Sequence, residues 1–437
     1  MILKKRPRNL ILIGLVTLFL AVACSAAVED DGATVEDSAG QASTEEPSIQ
    51  TDSEENTLDE DTPSETEDQG ETGSDAPDES QLDQLNLDWT TQSVGSGIKP
   101  AVAVDADGVV HVAFLTEADH GALFYASNES GDFELTTVAE GYFYGPVDIA
   151  LGPDGVPFIA YHDHQDTGFN PALGDEVIAM MQDGAWKLST VEDDGHDGWD
   201  NSIVVDGDGN WHTAAVDPSQ FGSSDGVEYA TNSGGEIIVT SVSDGPVAYE
   251  FGTAIQLNNE GTPGITYYDN VAQTLKYAEL GPDGWSVSTV DDDGDAGRYA
   301  ALSYDSEGSA HISYFVFQSQ NGGVVRHAWL DGSGWQIEDV DVLDDVVPGH
   351  VGARKITAIV MDENDIPHIA YADQGRIVYG LRNEEGWSVQ EVSSASERQF
   401  GQLVEMALDS DGNPHLVWFE VENPSPLTGE VIYASGS

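Results

Sequence analysis

Beyond about residue 86 the apolar positions of this chain come in short runs, alternating with polar ones, and breaks rich in Gly and Asp separate the runs. A period of two belongs to half-buried β-strands, and such breaks belong to tight turns, so the pattern predicts strands throughout and no helix. Aligned on one turn, VAVDADGVVHVAF, IALGPDGVPFIAY, IVVDGDGNWHTAA, IQLNNEGTPGITY, LSYDSEGSAHISY, IVMDENDIPHIAY and MALDSDGNPHLVW are a single motif written seven times. Its turn residue is Gly108, Gly155, Gly209, Gly261, Gly308, Asp365 and Gly412 in succession, a spacing of about fifty residues. That period, built from short strands, predicts the blades of a β-propeller.

Each unit reads as four strands. Strand A is apolar, as at 100–104, and is expected beside the central channel. A turn leads to strand B, typified by His311 to Tyr314. Strand C is typified by Leu275 to Ala278. The outer strand D carries a Trp-x-x-x-x-Val pattern, at Trp186, Trp285, Trp335 and Trp387. The chain ends on a strand C, at Val431 to Ala434, whereas a D-type segment, Trp89 to Val94, precedes the first strand A. The expectation is an all-β, seven-bladed propeller of four-stranded blades over 87–437. An N-terminal strand at about 87–94 completes the last blade and removes the open edge.

The repeat resembles the sialidase-like (BNR-type) repeats of bacterial surface propellers, through its Gly-x-x-His-aliphatic-Ala-Tyr units. The Ser-x-Asp-x-Gly-x-x-Trp box of true sialidases is absent, and those enzymes have six blades. The resemblance implies that Arg298, Arg354 and Arg398 imitate an arginine triad, that Tyr299 or Tyr249 imitates the nucleophile, and that Asp163 or Asp217 acts as acid/base.

The N-terminus supplies an address. MILKKRPR followed by an apolar run to Ala23 is a signal peptide, residues 1–23. Ala21-Val22-Ala23-Cys24 resembles a bacterial lipobox, with Ala21 where leucine is usual, and implies that Cys24 is lipidated. Cleavage after Ala23 without lipidation is the alternative. Cys24 is the only cysteine, so there is no internal disulfide. Residues 25–86 carry no Lys, Arg or aromatic residue and many Asp, Glu, Ser and Thr, so they are expected to be a disordered acidic tether. With Ser25 after the cysteine, the resemblance implies outer-membrane or cell-surface localisation, the lipid being the only membrane contact.

Charge narrows the partners. The formal net charge is −66, which excludes electrostatic binding of nucleic acid. Aspartate-rich and lysine-poor, the surface reads as halophilic.

The D–A and B–C connections surround one mouth of the channel in propellers, and that face holds the candidate ligand-binding residues. Lys99, Arg298, Arg354, Lys355 and Arg398 fall in or beside the D–A connections. They are expected either to neutralise neighbouring carboxylates or to recognise a carboxylate or sulfate. Asp163, Asp217, Asp269, Asp373 and Glu420 end strand B in five repeats and are expected to form a partial acidic rim. Trp199 and Tyr299 join Tyr142, Tyr144 and Tyr249 as aromatic residues able to stack on sugar rings. His162, Asp163 and His164, with His196 and Asp200, offer a metal alternative.

Five B strands begin with histidine, His111, His212, His311, His368 and His415, and their spread around a ring assigns them to the turns rather than to catalysis. Asp105, Asp206 and Asp409 faintly match the start of a calcium loop without its downstream glutamate. No cofactor is expected, with calcium the nearest alternative.

The function expected is a tethered, non-catalytic binding or adhesion propeller, monomeric, for a glycan or other extracellular ligand. A sialidase-like glycosidase or lyase, and a structural component of an envelope complex, are the alternatives.

Overall fold

A computed structural model describes residues 85–116, 121–164, 174–192, 198–217, 226–243, 247, 251–318, 322–343, 356–373, 375–394, 403–424 and 427–437. The leader, Cys24 and the tether up to residue 84 lie outside them. The described residues hold seven four-stranded antiparallel sheets arranged as a ring, a seven-bladed β-propeller without helices.

Blades 1 to 6 run in chain order through strands A to D, over 98–141, 143–190, 199–243, 253–291, 295–343 and 357–394. Blade 7 takes strands A to C from 404–436 and its D strand, Trp89–Ser96, from the other end of the chain. The register sets Trp89 against Gly436, Thr91 against Ala434 and Gln92 against Tyr433. The borrowed strand gives blade 7 the outer fourth strand that every other blade takes from its own stretch of chain, and so ties the two ends of the domain together.

The turn between A and B repeats in atomic detail. Asp105 Oδ1 accepts the amides of Asp107 and Val109 at 2.9 and 2.8 Å, and Gly108 takes the φ of 81° that closes the turn. Asp206, Asn258, Asp305, Asp362 and Asp409 do the same in their blades. The aspartates matched above to a calcium loop thus spend one oxygen on two backbone amides.

The repeated histidines sit behind these turns, as expected. His111, His212 and His415 each lie 2.6 Å, through Nδ1, from the hydroxyl of Tyr125, Tyr229 or Tyr433. Their Nε2 atoms lie 3.4–3.5 Å from the turn aspartate. His368 has Tyr379 at 2.6 Å, while His311 meets His327 at 3.0 Å. Each relay ties strands B and C to the turn, which is a structural role.

Blades pack on each other through aromatic residues. The D-strand Trp of one blade stands edge-on to the C-strand ring of the preceding blade: Trp186 on Tyr125, Trp285 on Tyr229, Trp335 on Tyr277, Trp387 on His327 and Trp89 on Tyr379, with centroids 5.2–5.5 Å apart. Trp418, Tyr161, Tyr314 and Tyr371 are fully buried on strand B. Removing such side chains from water stabilises the ring by about 1.5–3 kcal/mol each.

Candidate functional site

The D–A connections enter strand A through a break in its register, between Ile98 and Ala101, Trp199 and Ser202, and Arg298 and Ala301. Six residues before the turn, Lys99, Asp200 and Tyr299 take left-handed φ values of 55°, 51° and 58°. This conformation is costly for a side chain with a Cβ, and the neighbouring blade holds it in place. Thr253 Oγ1 donates to the Asp200 carbonyl at 2.8 Å, and Thr357 Oγ1 donates to that of Tyr299 at 2.7 Å.

The break decides which of the expected residues reach the channel mouth. Lys99, Trp199 and Tyr299 are 5, 4 and 3 % exposed, buried in the blade seams rather than displayed. Tyr299 packs edge-on to Phe251 at 5.4 Å and donates its amide to the Phe251 carbonyl. Trp199 lies 5.6 Å from the ring of the equally buried His162.

Arg298 is partly exposed. Its Nε donates to Asp295 Oδ1 at 2.9 Å and its Nη2 to Oδ2 at 2.5 Å. Tyr268 donates its hydroxyl to the same carboxylate at 2.6 Å. The guanidinium carbon stands 4.4 Å from the Phe251 ring centre, 5.1 Å from that of Phe317 and 5.7 Å from that of Tyr268. Burial works against the guanidinium charge, but Asp295 holds its pKa above the usual value. Arg298 is therefore half of an ion pair inside an aromatic cage. Its structure follows the neutralising alternative.

Arg354, Lys355 and Arg398 lie outside the described residues, as do Tyr249 and His196.

The acidic residues stand where B leads into C. Asp163, Asp217, Asp269 and Asp373 are the last residues of their B strands, and Glu420 lies inside a longer one. Asp269 Oδ1 caps its turn by accepting the amides of Val271 and Ala272 at 3.0 and 2.9 Å, with Lys276 Nζ 4.0 Å from Oδ2. Asp373 is buried and paired with Arg376. Two members of the rim are thus matched by a local cation. Among the described residues no group of three His, Cys, Asp or Glu is arranged to hold a metal.

One set of residues was missed. Across the strand B–strand C register, Leu123, Val227, Leu275, Val325, Ile377 and Val431 occupy one repeat position, and Glu176 occupies it in blade 2. On strand B, the position of Phe114, Tyr161, Tyr267, Tyr314, Tyr371 and Trp418 is Ala215 in blade 3. Two residues earlier, where the other blades have Val112, Ile159, Ile265, Ile312, Ile369 and Leu416, blade 3 has Thr213.

These three exceptions meet at the seam of blades 2 and 3. Thr213 Oγ1 donates to Glu176 Oε2 at 3.3 Å. A small recess with room for about one water is lined by Glu176, Glu192, Glu228, Val191, Ala215 and Ala230, with Gly198 and Val239. Glu176 is 3 % exposed, and its Oε1 has no hydrogen-bond partner. Burial, with some repulsion from Glu228 and against the Thr213 hydrogen bond, pushes its pKa up to about 8. Gly198 makes the approach possible: at φ 80°, a Cβ there would lie 2.5 Å from Glu176 Cβ.

No family model matches the chain, and no curated protein matches it. Solved structures do resemble it in overall course. AofleA from Arthrobotrys oligospora is 13 % identical, with a TM-score of 0.47 over 73 % of this chain and 93 % of its own. An ulvan lyase of a polysaccharide lyase family, bound to a GlcA–Rha3S repeat, is 11 % identical, with a TM-score of 0.49 over 77 % and 93 %. The Aleuria aurantia lectin, in complex with Fucα1-6GlcNAc, is 11 % identical, with a TM-score of 0.44 over 69 % and 97 %. At these values the likeness concerns the path of the chain, and no residue is carried across.

Proposed function

We propose that this protein is an exported, surface-tethered binding propeller that recognises a neutral glycan at its D–A and B–C loop face and does not turn it over. The observation that carries this reading is the caged Arg298–Asp295 pair. A guanidinium already matched by a carboxylate has little net charge to offer an anion. Donor and acceptor side by side suit vicinal hydroxyls, and the partly exposed ring of Phe317 suits the apolar face of a sugar. The same pairing disfavours the sialidase-like assignment, because an arginine committed to Asp295 is a poor anchor for a substrate carboxylate, and Tyr299 is too buried to attack one.

The address rests on the signal-type leader, Cys24 and the acidic segment to 86, which together describe a lipid-anchored stalk. A glycan array probed with the mature chain tests the reading. Binding of neutral oligosaccharides that is lost in Arg298→Ala, with no new reducing ends or unsaturated products on prolonged incubation, supports it. Cleavage of any bound glycan, or retention of full binding by Arg298→Ala, refutes it.

A further inference from the structure

The turn relay of blade 5 is built from different residues than the others. In blades 1, 3, 6 and 7 the strand B histidine meets a strand C tyrosine, Tyr125, Tyr229, Tyr379 or Tyr433. The strand D residue opposite that tyrosine is Thr136, Thr240, Gln390 or Gln92. In blade 5 His327 stands in place of the tyrosine and Glu338 stands opposite it. His311 and His327 are buried, their rings 19° from parallel with centres 5.2 Å apart, and they meet from Nδ1 to Nε2 at 3.0 Å. His327 Nδ1 lies 3.0 Å from Glu338 Oε1, and His311 Nε2 lies 3.4 Å from Asp305 Oδ2. Two imidazoles thus stand in line between two carboxylates.

The number of hydrogens decides what this line can do. It has three links, each needs one hydrogen, and the carboxylates bring none. Two neutral imidazoles carry one N–H each, so one link is left with lone pairs face to face. A tyrosine closes that gap in the other relays, since its hydroxyl donates to histidine Nδ1 while Nε2–H donates to the aspartate. Glu338 does not supply the hydrogen. It accepts Arg382 Nε at 2.7 Å and Trp387 Nε1 at 3.0 Å, and although burial raises its pKa, these donors and His327 hold it at about 2. Asp305 Oδ1 is taken by the amides of Glu307 and Ser309 at 3.0 and 2.7 Å. Asp365, bonded to Ser306 of the same turn, adds a third carboxylate near His311, and Arg382 is the cation that faces them. Trp329 covers His327 with ring centres 5.2 Å apart.

We propose that His311 and His327 form one shared proton site, a pH-sensitive latch in which a single added proton completes the line from the A–B turn of blade 5 to Glu338 at the seam with blade 6. The latch is independent of the loop-face reading and stands if that reading fails. The proton comes from solvent and turns the neutral pair into one imidazolium beside one imidazole, so that every link holds a hydrogen. It also offsets one of the carboxylate charges. Protonating a histidine of a His–Tyr relay adds no link, so the pair takes up its first proton at higher pH than His111, His212 or His415. A second proton sets two cations 3.0 Å apart. Burial and then this repulsion from His327 push His311 down to about 4, which marks the second step. Between the two steps the latch is closed.

Nitrogen-15 NMR of the mature chain, labelled at histidine and titrated with acid from mildly alkaline pH, reads the tautomer and charge of each imidazole. His311→Gln and His327→Tyr assign the pair. The expected result is a step shared by the His311 and His327 signals, at least about one pH unit above the steps of His111, His212 and His415, the worth of one hydrogen bond to a charged group. A separate second step is expected near pH 4. His327→Tyr, which rebuilds the relay of the other blades, should return His311 to a single step in the range of those three. Glu338→Gln, whose amide can donate the missing hydrogen, should lower the shared step into the same range, and it serves alone if the tyrosine variant does not fold. The proposal is overturned if His311 and His327 titrate independently, if their first step coincides with or falls below those of the relay histidines, or if Glu338→Gln leaves that step in place.

Discussion

Replacing Trp89 by alanine tests ring closure at its most exposed joint. Trp89 sits at the start of the strand that blade 7 borrows, half-buried, edge-on to Tyr379 of blade 6 with centroids 5.4 Å apart. Its ring also covers the backbone at Gly436, where a built Cβ would lie 3.0 Å away. Full truncation of a buried Trp costs about 3–5 kcal/mol, and half-burial reduces this to about 2 kcal/mol. The lost edge-to-face pair adds about 0.5–1.5 kcal/mol. The backbone ladder to Val431–Gly436 remains, so the change should weaken the closure without abolishing it.

In a domain of about 350 residues a loss of about 2.5–3.5 kcal/mol lowers Tm by roughly 3–5 °C. Differential scanning calorimetry of Trp89→Ala beside Trp186→Ala measures it, since Trp186 makes the same contact with Tyr125 inside the ring. Equal losses mean that the borrowed strand is held like any other D strand. A Trp89→Ala protein that melts with the wild type, while Trp186→Ala does not, would refute the closure argument.

Acid should destabilise the protein through its turn histidines. Burial lowers the folded pKa of His111, His212, His368 and His415, and that of His311 to about 4, so the unfolded chain takes up protons first as pH falls below 6.5. Stability is then complete above pH 6.5 and declines toward pH 4; a Tm that is flat over this window contradicts the relays. Below that window Glu338 adds a second loss: although burial raises its pKa, His327, Arg382 and Trp387 hold it at about 2, so its contribution fades as pH falls from 4.5 through 2. Gly198→Ala should destabilise by about 1–3 kcal/mol, because it adds a strained φ and a clash with Glu176, and urea unfolding measures it. Residues 87–437 carry 59 acidic and ten basic side chains, so Tm should rise in molar potassium chloride; an unchanged or lower value counts against a halophilic surface.

Blade number and closure could be read from the chain because each depends on local signals. Turn residues such as Gly108 and Asp105 need particular backbone angles, and the D-strand Trp recurs at a fixed distance from Val. The histidines could be assigned by symmetry alone. The candidate site was harder to read. The break entering strand A sets Lys99, Asp200 and Tyr299 in left-handed conformation, although none of these residue types announces it. Their place in the D–A connections therefore sends Lys99, Trp199 and Tyr299 to the channel mouth, while the actual register buries them.

The Glu176 seam was hidden for a different reason. Glu176 is ordinary in a strand of an acidic protein. It stands out only once strand pairing aligns it with Leu123 and Leu275, and only the ring sets it against Ala215.

Crystals of the mature chain soaked in mixed neutral oligosaccharides test the central claim, that the loop face of this ring is a sugar-binding surface. An intact sugar whose hydroxyls engage Arg298 and Asp295, with a ring face against Phe317, is the result expected. Sugar bound only at the opposite face, or a cleaved product in the channel mouth, would contradict it.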